Sequence, residues 1–228
     1  MQDTLKISSG NEPIDALLKG GFETDVLTTI FGPAGSGKTN VALCALAHIL
    51  KKDKKAIYID TEGSFSSDRM LQIFPEFNAY AANLLFLKPT NFSEQKDAFE
   101  VLHKTVNIER KPCDLIVIDS IAMLYRLEIG QTQDVYAINR ELGRQLGMLT
   151  ELARKRNIPI LITNQVYADF ESDAVKMVGG DLLKYSSKCL IELQKKEDVR
   201  EAVLKKHRSI PENEKVSFKI VSKGIDYA

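Results

Sequence analysis

The eight residues from Gly32 to Thr39 constrain the fold of this chain more than any other segment. They read GPAGSGKT and fit the pattern G-x-x-x-x-G-K-[ST]. An apolar run at 27–31 predicts a strand before them, and 38–50 predicts a helix after them. Glycines let the backbone direct several N–H groups toward one anion, and the helix N-terminus adds a positive dipole end. The segment therefore predicts a loop that binds the phosphates of a nucleotide.

Two side chains of this loop suit a nucleotide with a bound metal ion. The Lys38 ammonium is expected to contact the β- and γ-phosphates, and the Thr39 hydroxyl to ligate Mg²⁺. An ordinary glycine-rich turn is the alternative, but the flanking elements and a second motif favour the nucleotide site. The predicted ligands are ATP and Mg²⁺. The residues predicted to contact the nucleotide are Gly32, Pro33, Ala34, Gly35, Ser36, Gly37, Lys38 and Thr39.

The second motif is LIVIDS at 115–120, in which four apolar residues are followed by Asp119. A continuous apolar strand is typical of a parallel sheet covered on both faces. A carboxylate at the end of such a strand can orient a Mg²⁺-bound water beside the phosphate loop. An isolated Asp in this position is more often a turn residue. The preceding phosphate loop makes the metal role of Asp119 the favoured interpretation.

Two further strand ends carry side chains that suit ATP hydrolysis. The predicted strand 56–60 runs into Asp60-Thr61-Glu62-Gly63, and a carboxylate there could act as general base toward the attacking water. Glu62 is the candidate, and Asp60 competes for the role. The strand 158–163 runs into Asn164 and Gln165, whose amides could sense a γ-phosphate or simply cap the strand. Spacing alone does not decide between these alternatives.

The order of predicted elements indicates an α/β fold. Strands and helices alternate up to about residue 163, and short strands without intervening helices follow residue 180. We expect one domain, 1–228, with a mostly parallel central sheet flanked by helices and an antiparallel C-terminal extension. Predicted strands cover 27–31, 56–60, 84–87, 115–118, 158–163, 189–193, 202–204 and 216–221. Predicted helices cover 38–50, 93–109 and a segment ending near Arg156, whose buried stripe is Ile138, Leu142, Leu146, Leu149 and Ala153.

Composition restricts the partners and the compartment. Lys plus Arg and Asp plus Glu both number 31, so bulk charge favours neither strong nucleic-acid binding nor membrane binding. The best apolar run, 41–50, is too short to span a bilayer. Cys44, Cys113 and Cys189 form no close pair in the sequence, which argues against a disulfide framework and favours a reducing cytoplasm.

Four motifs in this order resemble those of the RecA/RadA strand-exchange recombinases: GPAGSGKT, YIDTEGSF at 58–65, LIVIDS, and ILITNQV at 160–166. The resemblance extends from about Ser9 to Ile225 and implies a RecA-type ATPase core. Few residues precede this core, so the N-terminal helical domain and the polymerisation linker of RadA-like proteins are expected to be absent. Together with the C-terminal run AVLKKHRSIPE at 202–212, this is similar to RadB, the short archaeal branch of the family.

The resemblance also implies residue roles. Lys38, Thr39 and Asp119 match the phosphate-loop lysine and the two metal-site residues of the family, and Glu62 matches its catalytic glutamate. Gln165 matches the glutamine that couples the γ-phosphate to a DNA-binding loop. Arg69, in the run SSDRM, matches an arginine that packs on the adenine, and an ordinary surface arginine is the alternative.

The expected DNA-binding loops carry little positive charge. The stretch 128–135 contains no arginine, and Thr132 and Ile138 lie where an ungapped comparison with the family places arginines. The second loop, 166–178, carries Asp169, Glu171 and Asp173 against the single Lys176. Acidic loops repel phosphates, which dominate DNA affinity. We therefore expect weak DNA binding that is independent of base sequence.

The C-terminal basic run contains Lys206 and Arg208, which a strand would place on one face. A Lys-x-Arg element contacts a neighbouring subunit's γ-phosphate in ring-forming relatives. The alternatives for Lys206 and Arg208 are a DNA-backbone contact or a solvated hairpin. The other basic runs, among them 51–55 and 154–156, are expected to be solvated faces.

Three functions remain open from the sequence. The favoured one is an ATP-binding accessory factor of DNA repair and homologous recombination, with weak ATP turnover little stimulated by DNA. The others are an active strand-exchange recombinase and a ring ATPase of the KaiC or replicative-helicase kind. The resemblance implies protein partners such as a RadA-type recombinase or a Holliday-junction resolvase. The sequence leaves a homo-oligomer open, and no membrane partner is expected.

Overall fold

The computed structural model of the chain describes residues 5–108, 110–131, 133–168 and 175–228. The strands are β1 (Lys6–Ile7), β2 (Phe22–Glu23), β3 (Leu27–Gly32), β4 (Ala56–Asp60), β5 (Leu84–Leu87), β6 (Leu115–Asp119), β7 (Ile160–Ala168), β8 (Val175–Met177), β9 (Cys189–Lys196), β10 (Val199–Lys206), β11 (Lys215–Val221) and β12 (Gly224–Tyr227). The α-helices are α1 (Glu12–Leu17), α2 (Lys38–Leu50), α3 (Ser67–Ile73), α4 (Phe77–Tyr80), α5 (Phe92–His103), α6 (Met123–Ile129), α7 (Val135–Arg156) and α8 (Gly180–Ser186). A 3₁₀ turn covers Ala81–Asn83, and a π-helical turn covers Lys104–Ile108.

The central sheet has the order β5-β4-β6-β7-β3-β9-β10-β11-β12, and β8 pairs with β7 outside this path. All pairs from β5 to β9 along this order are parallel, and the pairs from β9 to β12 are antiparallel. The carboxyl ends of β3, β4, β6 and β7 therefore lie at one edge of the sheet. This arrangement confirms the predicted parallel α/β core with an antiparallel C-terminal extension.

The two faces of the sheet are both covered, as the apolar strand at 115–118 predicted. In β6, Leu115 and Val117 pack into the core on the side of α2, whereas Ile116 and Ile118 pack into the core on the side of α5 and α7. The predicted stripe of α7 is buried at every position from Ile138 to Ala153 that was named. The periodicity of the sequence therefore identified which helix face meets the sheet.

Some boundaries differ from the predicted ones for local reasons. The strand predicted at 158–163 begins at Ile160, because Pro159 has no N–H to donate to a ladder, although its carbonyl accepts a bond from Ile116 N at 3.2 Å. The helix predicted at 93–109 begins one residue earlier, where the Asn91 side chain caps Glu94 N at 2.9 Å. Its last turn is π-helical.

Several predictions concern residues outside the described parts of the chain. Of the positions named for the two expected DNA-binding loops, Thr132, Asp169, Glu171 and Asp173 lie outside the described residues, whereas Ile138 is buried on α7. Among the residues that the structure describes, no helix is both long and apolar enough to cross a membrane.

Candidate active site

The loop between β3 and α2 has the backbone geometry that phosphate binding needs. Gly35 and Gly37 have φ values of 74° and 105°, which favour glycine. At Gly32, a Cβ atom would lie 2.2 Å from the Leu193 carbonyl oxygen, so only glycine fits. No side chain caps the N-terminus of α2, which begins at Lys38. Its first N–H groups and positive dipole end are thus suited to an anion.

Lys38 lies folded over this loop. Its Nζ donates to the carbonyls of Gly32 at 2.8 Å and Pro33 at 2.9 Å, and the residue is 8% exposed. Burial lowers the pKa of Lys38, and the negative charges of Glu62 and Asp119 offset part of this effect. A buried ammonium beside two carboxylates is positioned to neutralise phosphate oxygens.

Asp119 is held at the end of β6 by four hydroxyl groups. Its Oδ2 accepts hydrogen bonds from Tyr58 OH at 2.7 Å, Ser64 Oγ at 2.9 Å and Thr39 Oγ1 at 3.0 Å. Its Oδ1 accepts from Thr163 Oγ1. Burial, followed by the charge of Asp119, raises the pKa of Tyr58 well above its usual range, so the phenol remains a donor. Asp119 is 1% exposed and fixed in orientation.

The residues around Asp119 fit a magnesium ion bound together with phosphates. The Thr39 hydroxyl and the Asp119 carboxylate are hard oxygen ligands only 3.0 Å apart. Within the described parts of the chain, no group of three or more His, Cys, Asp and Glu side chains is arranged to hold a metal. Mg²⁺ in nucleotide sites typically takes one or two protein oxygens and completes its shell with phosphate oxygens and water. Thr39 and Asp119 meet that requirement.

Glu62 and Gln165 lie together although 103 residues separate them. The parallel pairing of β3 with β7 aligns Gln165 with Gly32, next to the phosphate loop. The Gln165 Nε2 donates to Glu62 Oε1 at 3.0 Å, and both side chains are half-buried. The structure therefore brings together Lys38, Glu62, Asp119 and Gln165, as the sequence predicted. An amide that contacts a carboxylate in this way can transmit a displacement of that carboxylate to β7.

Asp60, the competing carboxylate, has a different environment. Its two oxygens accept hydrogen bonds from the backbone N–H groups of Ser64 at 3.1 Å and Phe65 at 3.2 Å. It is 1% exposed and shapes the loop that carries Glu62. A carboxylate with both oxygens occupied by backbone donors is poorly placed to accept a proton from water. The geometry favours Glu62 as the general base.

The neighbouring amide, Asn164, faces away from this cluster. Its Nδ2 donates to the Val178 carbonyl at 2.7 Å, and the residue is fully buried. Asn164 therefore ties β7 to the end of β8. Of the two amides that the sequence left open, Gln165 is the one beside the phosphate loop.

Arg69 lies near the phosphate loop and contacts the C-terminal hairpin. Its Nε donates to Asn40 Oδ1 at 2.8 Å, and its terminal nitrogens donate to the carbonyls of Val221 at 2.8 Å, Ser222 at 3.0 Å and Gly224 at 3.2 Å. These contacts join α3 to the turn between β11 and β12, a role that the sequence did not indicate. Such bonds lie in the guanidinium plane and do not compete with stacking on its faces. The contact between Arg69 and an adenine stays a prediction.

Lys206 and Arg208 make contacts within the chain. The Lys206 Nζ donates to the carbonyls of Lys184 at 2.6 Å and Ser187 at 2.8 Å, which stabilises the end of α8. Arg208 binds both oxygens of Asp25 at 2.6 and 2.9 Å, and its Nε lies 2.9 Å from Glu23 Oε2. Because of this hydrogen bonding, the pKa of Asp25 is lowered and that of Arg208 is raised.

The position of these two cations excludes a contact with the phosphate loop of the same chain. The end of β10 lies beside the start of β9, where Lys206 pairs with Leu190, and β9 runs parallel to β3. Lys206 and Arg208 are therefore at the edge of the sheet opposite the phosphate loop. Any phosphate that they contact must belong to another molecule, so their role at a subunit interface or on DNA stays a prediction.

Replacing Arg208 with alanine is expected to destabilise the chain without changing ATP turnover. Glu23 is 3% exposed and would lose its cation, at a cost of about 1–3 kcal/mol after allowing for the partial exposure of Arg208. In a chain of this size each kcal/mol lowers Tm by about 2–4 °C. Arg140→Ala, an exposed arginine on α7, is the control for thermal unfolding. If ATP turnover of Arg208→Ala falls only at concentrations where the protein associates, and Tm is unchanged, Arg208 instead contacts the nucleotide of a neighbouring subunit.

The sequence model of the Rad51 family matches residues 1–228. This chain belongs to the Rad51 family. Among curated members, a DNA repair and recombination protein RadB from Methanobrevibacter smithii is 40% identical, with 98% of this chain and 97% of that protein covered. A DNA repair and recombination protein RadB from Methanococcoides burtonii is 42% identical, with 96% of this chain and 97% of that protein covered. The crystal structure of a RadB recombinase matches with a TM-score of 0.80 at 35% identity, covering 97% of this chain and 99% of that one.

This membership confirms the resemblance to archaeal RadB and the RecA-type fold that the motifs indicated. It agrees with the site geometry, because members of the Rad51 family are built around a nucleotide-binding core. The sequence did not identify Tyr58, Ser64 and Thr163 as partners of Asp119. For Tyr58 and Thr163, the sequence offers only their positions on predicted strands, which the structure places on either side of β6.

Proposed function

We propose that this chain is a Mg²⁺-dependent ATPase of DNA repair and homologous recombination that acts as an accessory factor of RadB type. The observation that carries the proposal is the contact between Glu62 and Gln165 beside the glycine loop, with Lys38 and Asp119 on the same edge of the sheet. A carboxylate, an ammonium and hard oxygen ligands around one anion site are the groups that phosphoryl transfer to water requires.

Each side chain has a role that follows from its contacts. Lys38 would neutralise charge on the terminal phosphates, and the loop N–H groups would hold them. Thr39 and Asp119 would hold Mg²⁺, which supplies a Lewis acid for the phosphate oxygens when bound. Glu62 would accept the proton of the attacking water. Because Gln165 donates to Glu62, it would report the state of the site to β7 and the loop beyond it.

The accessory role is supported by charge. The segment 128–135 contains no lysine or arginine, and the segment expected to form the second DNA-binding loop carries Asp169, Glu171 and Asp173. These loops are poorly suited to grip a phosphate backbone, so DNA should bind weakly, without base preference, and with steep salt dependence. The chain would act with protein partners such as a RadA-type recombinase or a Holliday-junction resolvase. Its cysteines form no disulfide in the described structure, in keeping with a reducing cytoplasm.

An active strand-exchange recombinase is the second candidate. It is supported by the contact of Gln165 with Glu62, through which Gln165 would couple the nucleotide site to a DNA-binding site. ATP turnover should therefore be measured with and without single-stranded DNA, alongside strand exchange between a single strand and a homologous duplex. We expect slow turnover that changes less than about twofold with DNA, and no strand exchange. A many-fold stimulation together with exchanged product would support the recombinase instead.

A further inference from the structure

Three basic segments that are far apart in the sequence meet at one edge of the central sheet. They enter β4, β6 and β7, which are adjacent and parallel, so all three lie at the edge opposite the phosphate loop. We call this surface the basic edge. It comprises Lys54, Lys55, Arg110, Lys111, Arg154, Lys155 and Arg156.

Asp114 fixes the first segment against the second. The Lys55 N–H donates to Asp114 Oδ2 at 3.1 Å, the Asp114 N–H donates to the Lys55 carbonyl at 2.7 Å, and Lys54 Nζ lies 3.1 Å from Asp114 Oδ1. The second and third segments line a cleft of about 330 Å³, formed by 110–114 together with Lys155, Arg156 and Ile158. The three segments therefore form one continuous surface.

The basic edge has a local excess of positive charge on a chain whose net charge is zero. Arg156 is half-buried, and the other six basic residues are exposed. The acids beside this surface in the described parts of the chain have partners. Asp114 and Glu151 form ion pairs with Lys54 and Lys155, and Asp53 accepts a hydrogen bond from Asn83. Asp25 attracts Arg154, but both of its oxygens already accept from Arg208. Each of the three segments contributes at least one exposed cation to the surface, namely Lys55, Arg110 and Arg154.

We propose that the basic edge binds the phosphate backbone of a nucleic acid. Three adjacent strands span about 10 Å, since neighbours lie about 4.8 Å apart. Cations spread over this distance can contact several neighbouring phosphates of one strand, and such contacts require no particular base sequence. The buried core of a protein–protein interface is usually apolar and depleted in charged residues, whereas the cleft is lined mainly by charged side chains, which favours a nucleic acid. The proposal rests on the proposed role in recombination, and it places DNA away from the acidic loops.

The basic edge is separate from the nucleotide site. The strands between the two edges have five to six residues in β3, β4 and β6, which at about 3.3 Å each is roughly 16–20 Å. Substitutions at the basic edge therefore touch none of the residues placed around the phosphate loop. DNA affinity and ATP turnover can be measured independently in the same variant.

The test is a charge reversal with a control of equal net charge. The variant carries Lys55→Glu, Arg110→Glu and Arg154→Glu, one from each segment. The control carries Lys88→Glu, Lys195→Glu and Lys219→Glu, which are exposed elsewhere. Binding of a fluorescent single-stranded oligonucleotide is followed by anisotropy at salt concentrations from about 50 to about 300 mM. In this range the release of counterions makes DNA affinity strongly dependent on salt. Thermal unfolding verifies the fold, and the milder Lys55→Gln, Arg110→Gln, Arg154→Gln variant is used if the first is destabilised.

The basic-edge variant is expected to lose at least about tenfold in DNA affinity. The slope of log affinity against log salt concentration should become less negative by about 2. Three phosphate contacts are lost, and each contributes about 0.7 to that slope on a single strand. ATP turnover and the DNA affinity of the control should stay within about twofold of wild type. Equal losses in variant and control, or no loss in either, would overturn the proposal and leave the ATPase assignment intact. Wild-type protein that binds polyglutamate as well as DNA would also overturn it, in favour of an acidic protein partner.

Discussion

Replacing Lys38 with alanine is expected to reduce ATP turnover by at least about 10²–10³-fold, the usual effect of removing one preorganised group that stabilises transition-state charge. The Lys38 Nζ is buried over the loop and faces the charges of Glu62 and Asp119. Without it, negative charge that develops on the phosphate oxygens has no ammonium to stabilise it. The measurement is steady-state phosphate release at saturating MgATP.

Two further variants make this result interpretable. Lys38→Met keeps most of the side-chain volume and removes only the charge, so an equal loss of turnover excludes a packing defect. Lys51→Ala removes a lysine at the other end of α2, where it contacts the Ile73 carbonyl, and should leave turnover unchanged. Turnover in Lys38→Ala within threefold of wild type would show that the phosphate loop is not the hydrolytic site.

Glu62→Gln is expected to slow hydrolysis by about 10²–10⁴-fold and to leave ATP affinity nearly intact. The substitution keeps the size of the side chain and an oxygen that can accept from Gln165 Nε2. It removes the negative charge that allows Glu62 to take a proton. Single-turnover hydrolysis and MgATP binding, measured on the same preparation, separate the two effects.

Asp60→Asn is the matched control for this prediction. Both Asp60 oxygens accept backbone N–H groups, and an amide can replace only one of those acceptors. Its expected effect is a lower Tm with turnover changed by less than about tenfold, a smaller change than loss of a general base produces. If Asp60→Asn slows the chemical step and Glu62→Gln does not, the general base has been assigned to the wrong carboxylate.

Local patterns were sufficient to predict the elements that carry the site. The bounds of α2, β4 and β5 agree with the predicted ones, because a glycine loop, an apolar run and turn residues delimit them within a few positions. The grouping of Lys38, Glu62, Asp119 and Gln165 was also predictable, since the carboxyl ends of parallel strands share one edge. These inferences need only periodicity and the geometry of a parallel sheet.

Side-chain pairs that lie away from the carboxyl ends of the parallel strands could not be predicted in this way. The pairing of Arg208 with Asp25 joins residues 183 positions apart, and nothing in either local sequence indicates it. The contacts of Arg69 with the C-terminal hairpin are of the same kind. The basic edge depends on the order of β4, β6 and β7 in the sheet, whereas each basic run alone is typical of a solvated face.

Calorimetric titration of the chain with ATP, with and without Mg²⁺, tests the central claim most directly. The account predicts one MgATP per chain, weaker binding when EDTA removes the metal from Thr39 and Asp119, and binding that Lys38→Ala weakens further. Binding of no nucleotide, or an affinity that neither EDTA nor Lys38→Ala changes, would contradict the assignment of residues 32–39 and Asp119 as the MgATP site.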